Sequence, residues 1–144
     1  MATSAATLAA IVFLATAALH AYWALGGFWP GRDADSLART VVGGAPGMRG
    51  PGAAATWIVV AVLLGATATV LGAAEVVTLP VPAGLVRGAA FTAAGVLLVR
   101  GLEGFFDTRL RPDTVGSPFA RLNVRVYSPL FLALAALTGA AAWR

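Results

Sequence analysis

Four apolar runs, Ala5 to Leu25, Ala53 to Ala74, Val81 to Leu102 and Val126 to Trp143, constrain this chain more than any other feature. Each is about 18–22 residues long, enough for a helix rising about 1.5 Å per residue to cross a hydrocarbon core about 30 Å thick. Lipid offers the backbone no hydrogen-bond partner, so a span must be a helix or part of a closed barrel. The apolar-polar alternation of a barrel strand is absent. The runs therefore predict an all-α fold, an integral membrane bundle of four transmembrane helices in one domain over residues 1–144, with helices at about 5–25, 53–77, 82–104 and 125–143.

Composition narrows the chemistry. Only 11% of the residues are charged and 59% are hydrophobic, with a mean hydropathy of +0.84, whereas a soluble domain carries about 25% charge. With no cysteine, the chain has no disulfide, thiolate metal site or cysteine nucleophile. A single histidine cannot build a histidine metal site. All ten basic residues are arginine, so neither a Schiff-base lysine nor a Walker lysine is available. The net charge of +4 sits in loops beside apolar spans, which reads as membrane orientation and not as nucleic-acid binding.

The two long connections, residues 26–52 and 105–123, follow the first and third helices and fall on one side, here called side A. Side A holds eight arginines (Arg32, Arg39, Arg49, Arg100, Arg109, Arg111, Arg121, Arg125) and side B holds Arg87 and Arg144. The positive-inside rule places the long loops in the cytoplasm and both termini outside. Ala15-Thr16-Ala17 resembles a signal cleavage site, but no basic residue precedes the run, so the segment is expected to stay as the first helix. Leu37 to Val42 is expected to form a short interfacial helix. Thr78-Leu79-Pro80-Val81-Pro82 is a tight turn joining helices two and three. Ala61, Gly65, Thr69, Gly84 and Gly88 are small residues spaced for close helix packing. Gly43-Gly44-Ala45-Pro46-Gly47 has no preceding strand and reads as a hinge, not a phosphate loop.

Three polar clusters gather at the side A helix ends. His20, Trp23 and Gly27 share one helix face, with Tyr22 and Trp29 beside them. Arg100, Glu103 and Asp107 have the same spacing if the third helix continues that far, with Phe105 and Phe106 in the same stretch. Arg121, Arg125 and Ser128 form one face of the fourth helix, and Asn123 and Tyr127 a neighbouring one. Ionisable groups at this depth are costly and face the bundle interior, either as a structural ion-pair network, with Arg100 or Arg125 neutralising Glu103 or Asp107, or as a functional pocket. Three clusters at one depth favour the pocket. Glu75, near side B, either pairs with Arg87 or is a protonated acid in an apolar site.

The pairs His20-x-x-Trp23-x-x-Gly26-Gly27 and Tyr127-Ser128-Pro129-Leu130 resemble a bacterial family of small four-helix membrane proteins, domain-of-unknown-function family 3995, over nearly the whole chain. Size and layout are also similar to small membrane-bound terpene cyclases of bacterial meroterpenoid and indole-sesquiterpene pathways. That second resemblance implies a cell-membrane cyclase or isomerase in which an acid protonates an epoxide or alkene of an isoprenoid chain, with no cofactor. The residues offered for such chemistry are Glu103, Asp107, His20 and Glu75 as proton-transfer groups. Trp23, Tyr22, Trp29, Trp57, Phe105, Phe106, Arg100, Asn123, Arg125 and Tyr127 would contact the substrate, the aromatic rings stabilising cations through their faces. No metal is called for, and the partners expected are a lipophilic substrate and membrane lipid. Two other readings stand beside this one: an accessory subunit of a membrane complex, whose polar cluster would be fully paired around no cavity, and a small proton-coupled transporter centred on Glu75.

Overall fold

A computed structural model describes residues 1–43, 47 and 50–143. Among these residues the chain is helical, with no strand. Arg49 and Arg144, which entered the arginine count, and Gly44, Ala45 and Pro46 lie outside the described residues. Four long helices make an up-and-down bundle: α1 (Ala2–Ala24), α3 (Ala53–Ala73), α4 (Ala83–Glu103) and a fourth span over Pro118–Ala142. All four are long and apolar enough to cross a membrane. The amphipathic α2 (Ala34–Val41) lies in the first long connection, and a short α5 (Asp107–Leu110) in the second. The packing order around the bundle is α1, α3, α4 and the fourth span, with α1 closing back on the fourth.

Small residues are inside and large ones outside. Ala6, Ala9, Val70 and Ala141 are fully buried around Phe13 and Leu134. Ile58, Val62, Leu85, Val96 and Val99 are exposed to the bundle exterior. In lipid, apolar side chains gain little by leaving the surroundings for the core, so helices associate through close backbone approach instead. The small residues at the contacts are not the ones singled out from spacing. A Cβ at Gly65, Gly84 or Gly88 would meet nothing within 4 Å. The close approaches are at Gly72, against Leu79 and Val86, and at Gly101 and Gly104, against the fourth span.

Helix ends follow their local chemistry. α1 stops at Gly26, whose φ of +95° supports two closing bonds, Gly26 N–H to the Trp23 carbonyl at 3.0 Å and Gly27 N–H to the Tyr22 carbonyl at 2.9 Å. α3 ends four residues before the expected 77. Glu75 takes the same left-handed position, φ +56°, and the same pair of bonds closes the helix, Glu75 N–H to the Gly72 carbonyl at 3.0 Å and Val76 N–H to the Leu71 carbonyl at 2.9 Å. The Arg87 guanidinium meets the Glu75 carboxylate at 3.2 Å across the α3–α4 hairpin.

The fourth span starts earlier than expected. Ser117 caps it by accepting from Ala120 N–H at 3.0 Å, and Pro118 occupies the first turn. Its opening segment α6 (Pro118–Leu122) runs into a π-helical turn over Asn123–Tyr127 and then α7 (Ser128–Ala142). Pro129 has no N–H to donate and its ring crowds the carbonyl one turn back. The wider turn just before it, closed by Ser128 N–H to the Asn123 carbonyl, accommodates both.

Gly104 is where α4 touches this turn. A Cβ there would land on the Ser128 hydroxyl and crowd Asn123 and Arg100. Gly104→Ala is expected to destabilise the bundle by about 1–3 kcal/mol, the usual cost of overpacking. Gly88→Ala, in open space, is expected to cost nothing. Unfolding of the two variants in mixed micelles checks the difference, and equal stability would contradict the close approach.

Candidate functional site

The side A end of the bundle is held by polar contacts between segments far apart in sequence. Asn123 has 0% exposure. Its amide donates to the Gly104 carbonyl at 3.3 Å, and its carbonyl oxygen accepts from Arg100 at 3.3 Å. The Tyr127 hydroxyl donates to the Thr40 carbonyl at 3.3 Å, and Arg111 donates to the Val42 and Gly43 carbonyls, each at 3.2 Å. The last two contacts fasten α2 over the bundle end. α2 itself is closed by a capping box. Asp33 accepts from Ser36 N–H at 2.8 Å, and the Ser36 hydroxyl accepts from Asp33 N–H at 3.0 Å. Hydrogen bonds from the Ser36 backbone and then its hydroxyl hold the Asp33 carboxyl below its usual 3.8.

Beneath α2 lies a cavity of about 1070 Å³, just above the usual range for ligand sites. Its inner end is apolar, formed by Phe13, Leu63, Leu97 and Leu134. Its outer part carries His20, Trp23, Trp29, Asp35, Arg100 and Tyr127. From Trp23 to Phe13 along α1 the wall runs about 15 Å at the helical rise. A hydrogen bond of 2.6 Å from the Trp23 indole N–H to the Trp29 carbonyl folds the Gly26–Pro30 turn onto the rim.

Of the residues expected from sequence to transfer protons, His20 is the one on this wall. Its Nδ1 lies 2.8 Å from the Thr16 carbonyl oxygen. A carbonyl only accepts, so Nδ1 carries a proton and Nε2 is the nitrogen left to exchange one. The Trp23 ring packs edge-on against the imidazole, centroids 4.8 Å apart. Asp35 is the one carboxylate among the described lining residues. Its Oδ2 faces Arg39 Nε at 3.2 Å and its Oδ1 accepts from Gly47 N–H at 2.7 Å.

The other residues anticipated from sequence are distributed differently. Among the four proton-transfer candidates only His20 lines the cavity. Glu103 is exposed on the last turn of α4. Asp107 does not continue the α4 face, because the helix ends at Glu103 and the chain turns before α5. It is 5% exposed, receives the Thr114 hydroxyl at 3.2 Å and lies 3.7 Å from Arg111. The counter-charge of Asp107 is thus Arg111, in place of the Arg100 or Arg125 expected. Glu75 sits at side B. Trp23, Trp29, Arg100 and Tyr127 line the cavity, whereas Tyr22, Trp57, Phe105, Phe106 and Arg125 are exposed elsewhere and Asn123 is buried behind the wall. No group of three metal-ligating side chains occurs among the described residues, so His20, Glu103 and Asp107 are not gathered into one site.

Sequence reasoning missed Asp35, Thr40 and Leu37, all on α2. The signal available was Asp33-x-x-Ser36 ahead of an amphipathic segment, which marks a helix start.

Fold and site together define a small four-helix membrane protein with a ligand-sized cavity under an amphipathic helix. The chain belongs to the family described as "Protein of unknown function (DUF3995)", which matches residues 13–138 and so takes in every element lining the cavity. No curated protein and no solved structure matches it.

These placements separate the two carboxylates. Asp107→Asn is expected to lower stability by about 1–3 kcal/mol, since it removes the charge that Arg111 and Thr114 engage. Glu103→Gln is expected to leave stability unchanged. Thermal unfolding in detergent reads both, and the reverse ranking would overturn the assignment.

Proposed function

We propose that this chain is an integral membrane enzyme that takes a lipophilic, isoprenoid-type substrate into the side A cavity and transforms it by acid–base catalysis, a cyclisation or isomerisation. The observation that carries this reading is the cavity itself, about 1070 Å³, apolar at its inner end and carrying His20 on its wall. A structural subunit has no need of such a space, and its volume suits a prenyl chain. The arginine asymmetry supports a cytoplasmic mouth, and the exposed bundle face lets a lipid-soluble substrate arrive from the membrane.

In this mechanism His20, not Glu103 or Asp107, is the acid. Protonated at Nε2, the imidazolium gives its proton to an epoxide oxygen as the C–O bond breaks, and a double bond of the same chain attacks the carbon left behind. The cation that results loses a proton to a base, the neutral imidazole regenerated in the first step. Trp23 and Trp29 supply aromatic faces, each worth roughly 0.5–2 kcal/mol to a passing cation. Positioning and exclusion of water do the rest. Proton-coupled exchange through Glu75 finds less support, because that residue is at the other end of the bundle against Arg87.

Native mass spectrometry of the protein extracted with its own lipids tests the reading. An isoprenoid-derived mass is expected on the wild-type chain. It should be lost in Val59→Trp, which fills the cavity from a wall residue outside the buried core. His20→Gln is expected to keep the ligand and lose its conversion. Bulk phospholipid alone on the wild type would contradict the proposal.

A further inference from the structure

The arginines of the described chain are mostly accounted for. Arg111 meets Asp107, two carbonyls and the Phe119 ring. Arg39 pairs with Asp35, and Arg87 with Glu75. Arg32, Arg109, Arg121 and Arg125 are exposed. Arg100 is different. It is partly buried, it lines the cavity, and among the described residues no carboxylate lies within salt-bridge distance of it. One of its five N–H groups goes to Asn123 at 3.3 Å, and its flat face covers the Phe131 ring at 5.1 Å from the centroid. The rest of its donors have no protein acceptor among the described residues.

A permanently charged guanidinium at the wall of a largely apolar space is costly unless a counter-ion completes it. Asp35 does not serve, since both its oxygens are already committed, to Arg39 and to the Gly47 amide. His20 contributes no negative charge. Asn123 and Phe131 hold the guanidinium plane in place, which is how an arginine is made ready for two parallel bonds to an oxyanion. Leu97, one turn deeper on the same helix, begins the apolar inner wall that Phe13, Leu63 and Leu134 complete.

We propose that the ligand of this cavity is an anionic amphiphile, an apolar chain ending in a carboxylate or phosphate ester, and that Arg100 receives the anionic group while the chain lies inward past Leu97. The anion then sits at the side A rim and the chain toward the bundle centre, the same sense in which a lipid stands in the leaflet. The inference rests on the cavity being a site for a lipophilic ligand and adds the chemical class of its head.

Binding of farnesoic acid, methyl farnesoate, farnesol and inorganic phosphate to the full chain in neutral detergent, followed by tryptophan fluorescence at neutral pH, tests it. Farnesoic acid is expected to bind about tenfold tighter than its ester or the alcohol, the effect of one charge-assisted contact. The preference should vanish in Arg100→Gln and persist in Arg100→Lys. If Arg100→Gln fails to fold, the acid-against-ester comparison on the wild type decides alone. Equal binding of acid, ester and alcohol would overturn the anionic head and leave the lipophilic site standing. Binding of inorganic phosphate on its own would overturn the amphiphile, and no binding of any chain-bearing probe would overturn both readings.

Discussion

Asn123 is the interaction point on which the side A end depends. It is fully buried, and an amide in that position must have both its donor and its acceptor used. The donor goes to the Gly104 carbonyl, left open where α4 ends, and the acceptor to Arg100. Three features gather around that one residue. Position 104 has to be glycine, because a side chain would occupy the space of the Ser128 hydroxyl. The fourth span has to widen into a π-turn, which sets Asn123 and Tyr127 against different neighbours while accepting Pro129. Arg100 is held at the cavity wall by a neutral amide and not by an acid, so its charge is positioned without being cancelled.

The cavity exists because α2 is fastened across the bundle end without packing into it. Tyr127 and Arg111 bind backbone carbonyls at its C-terminal half. Asp33 and Ser36 close its N-terminus. Only Ala38 of α2 is buried. An amphipathic helix tied through its C-terminal half over a ring of larger helices leaves room beneath it, and the residues facing that room come from every long helix. Function and fold are thus linked at one place: the contacts that complete the helix ends also frame the space.

The four spans were legible in the sequence because length and hydropathy alone decide them in lipid. Their inner faces were not. With large apolar residues directed outward and alanine inward, hydrophobic periodicity carries no information about the core, and Gly65, Gly84 and Gly88 have the spacing of a contact without making one. The i, i+3, i+7 reasoning succeeded for His20 and Trp23, which lie within α1, and failed beyond helix ends. Gly27 is past the α1 stop and Asp107 past the α4 stop. Asp107 and Glu103 are close in sequence, yet the turn at Gly104 sends one into a buried pair and leaves the other outside. Asp35 is obscured by lying in a Gly- and Pro-rich stretch, where sequence alone marks a short helix over Leu37–Val42, after it, whereas α2 begins at Ala34.

The central claim is that the space beneath α2 is where ligand resides. The chain contains no cysteine, so single cysteines report without background. Thr40→Cys places a thiol on the cavity wall, and Thr108→Cys places one at the same end outside it. Their alkylation by a water-soluble maleimide, with and without farnesoic acid, is the most direct measurement. Slower reaction at position 40 with unchanged reaction at 108 is the expected result. Equal rates at both positions, with and without the acid, would show that nothing occupies the space and would contradict the account.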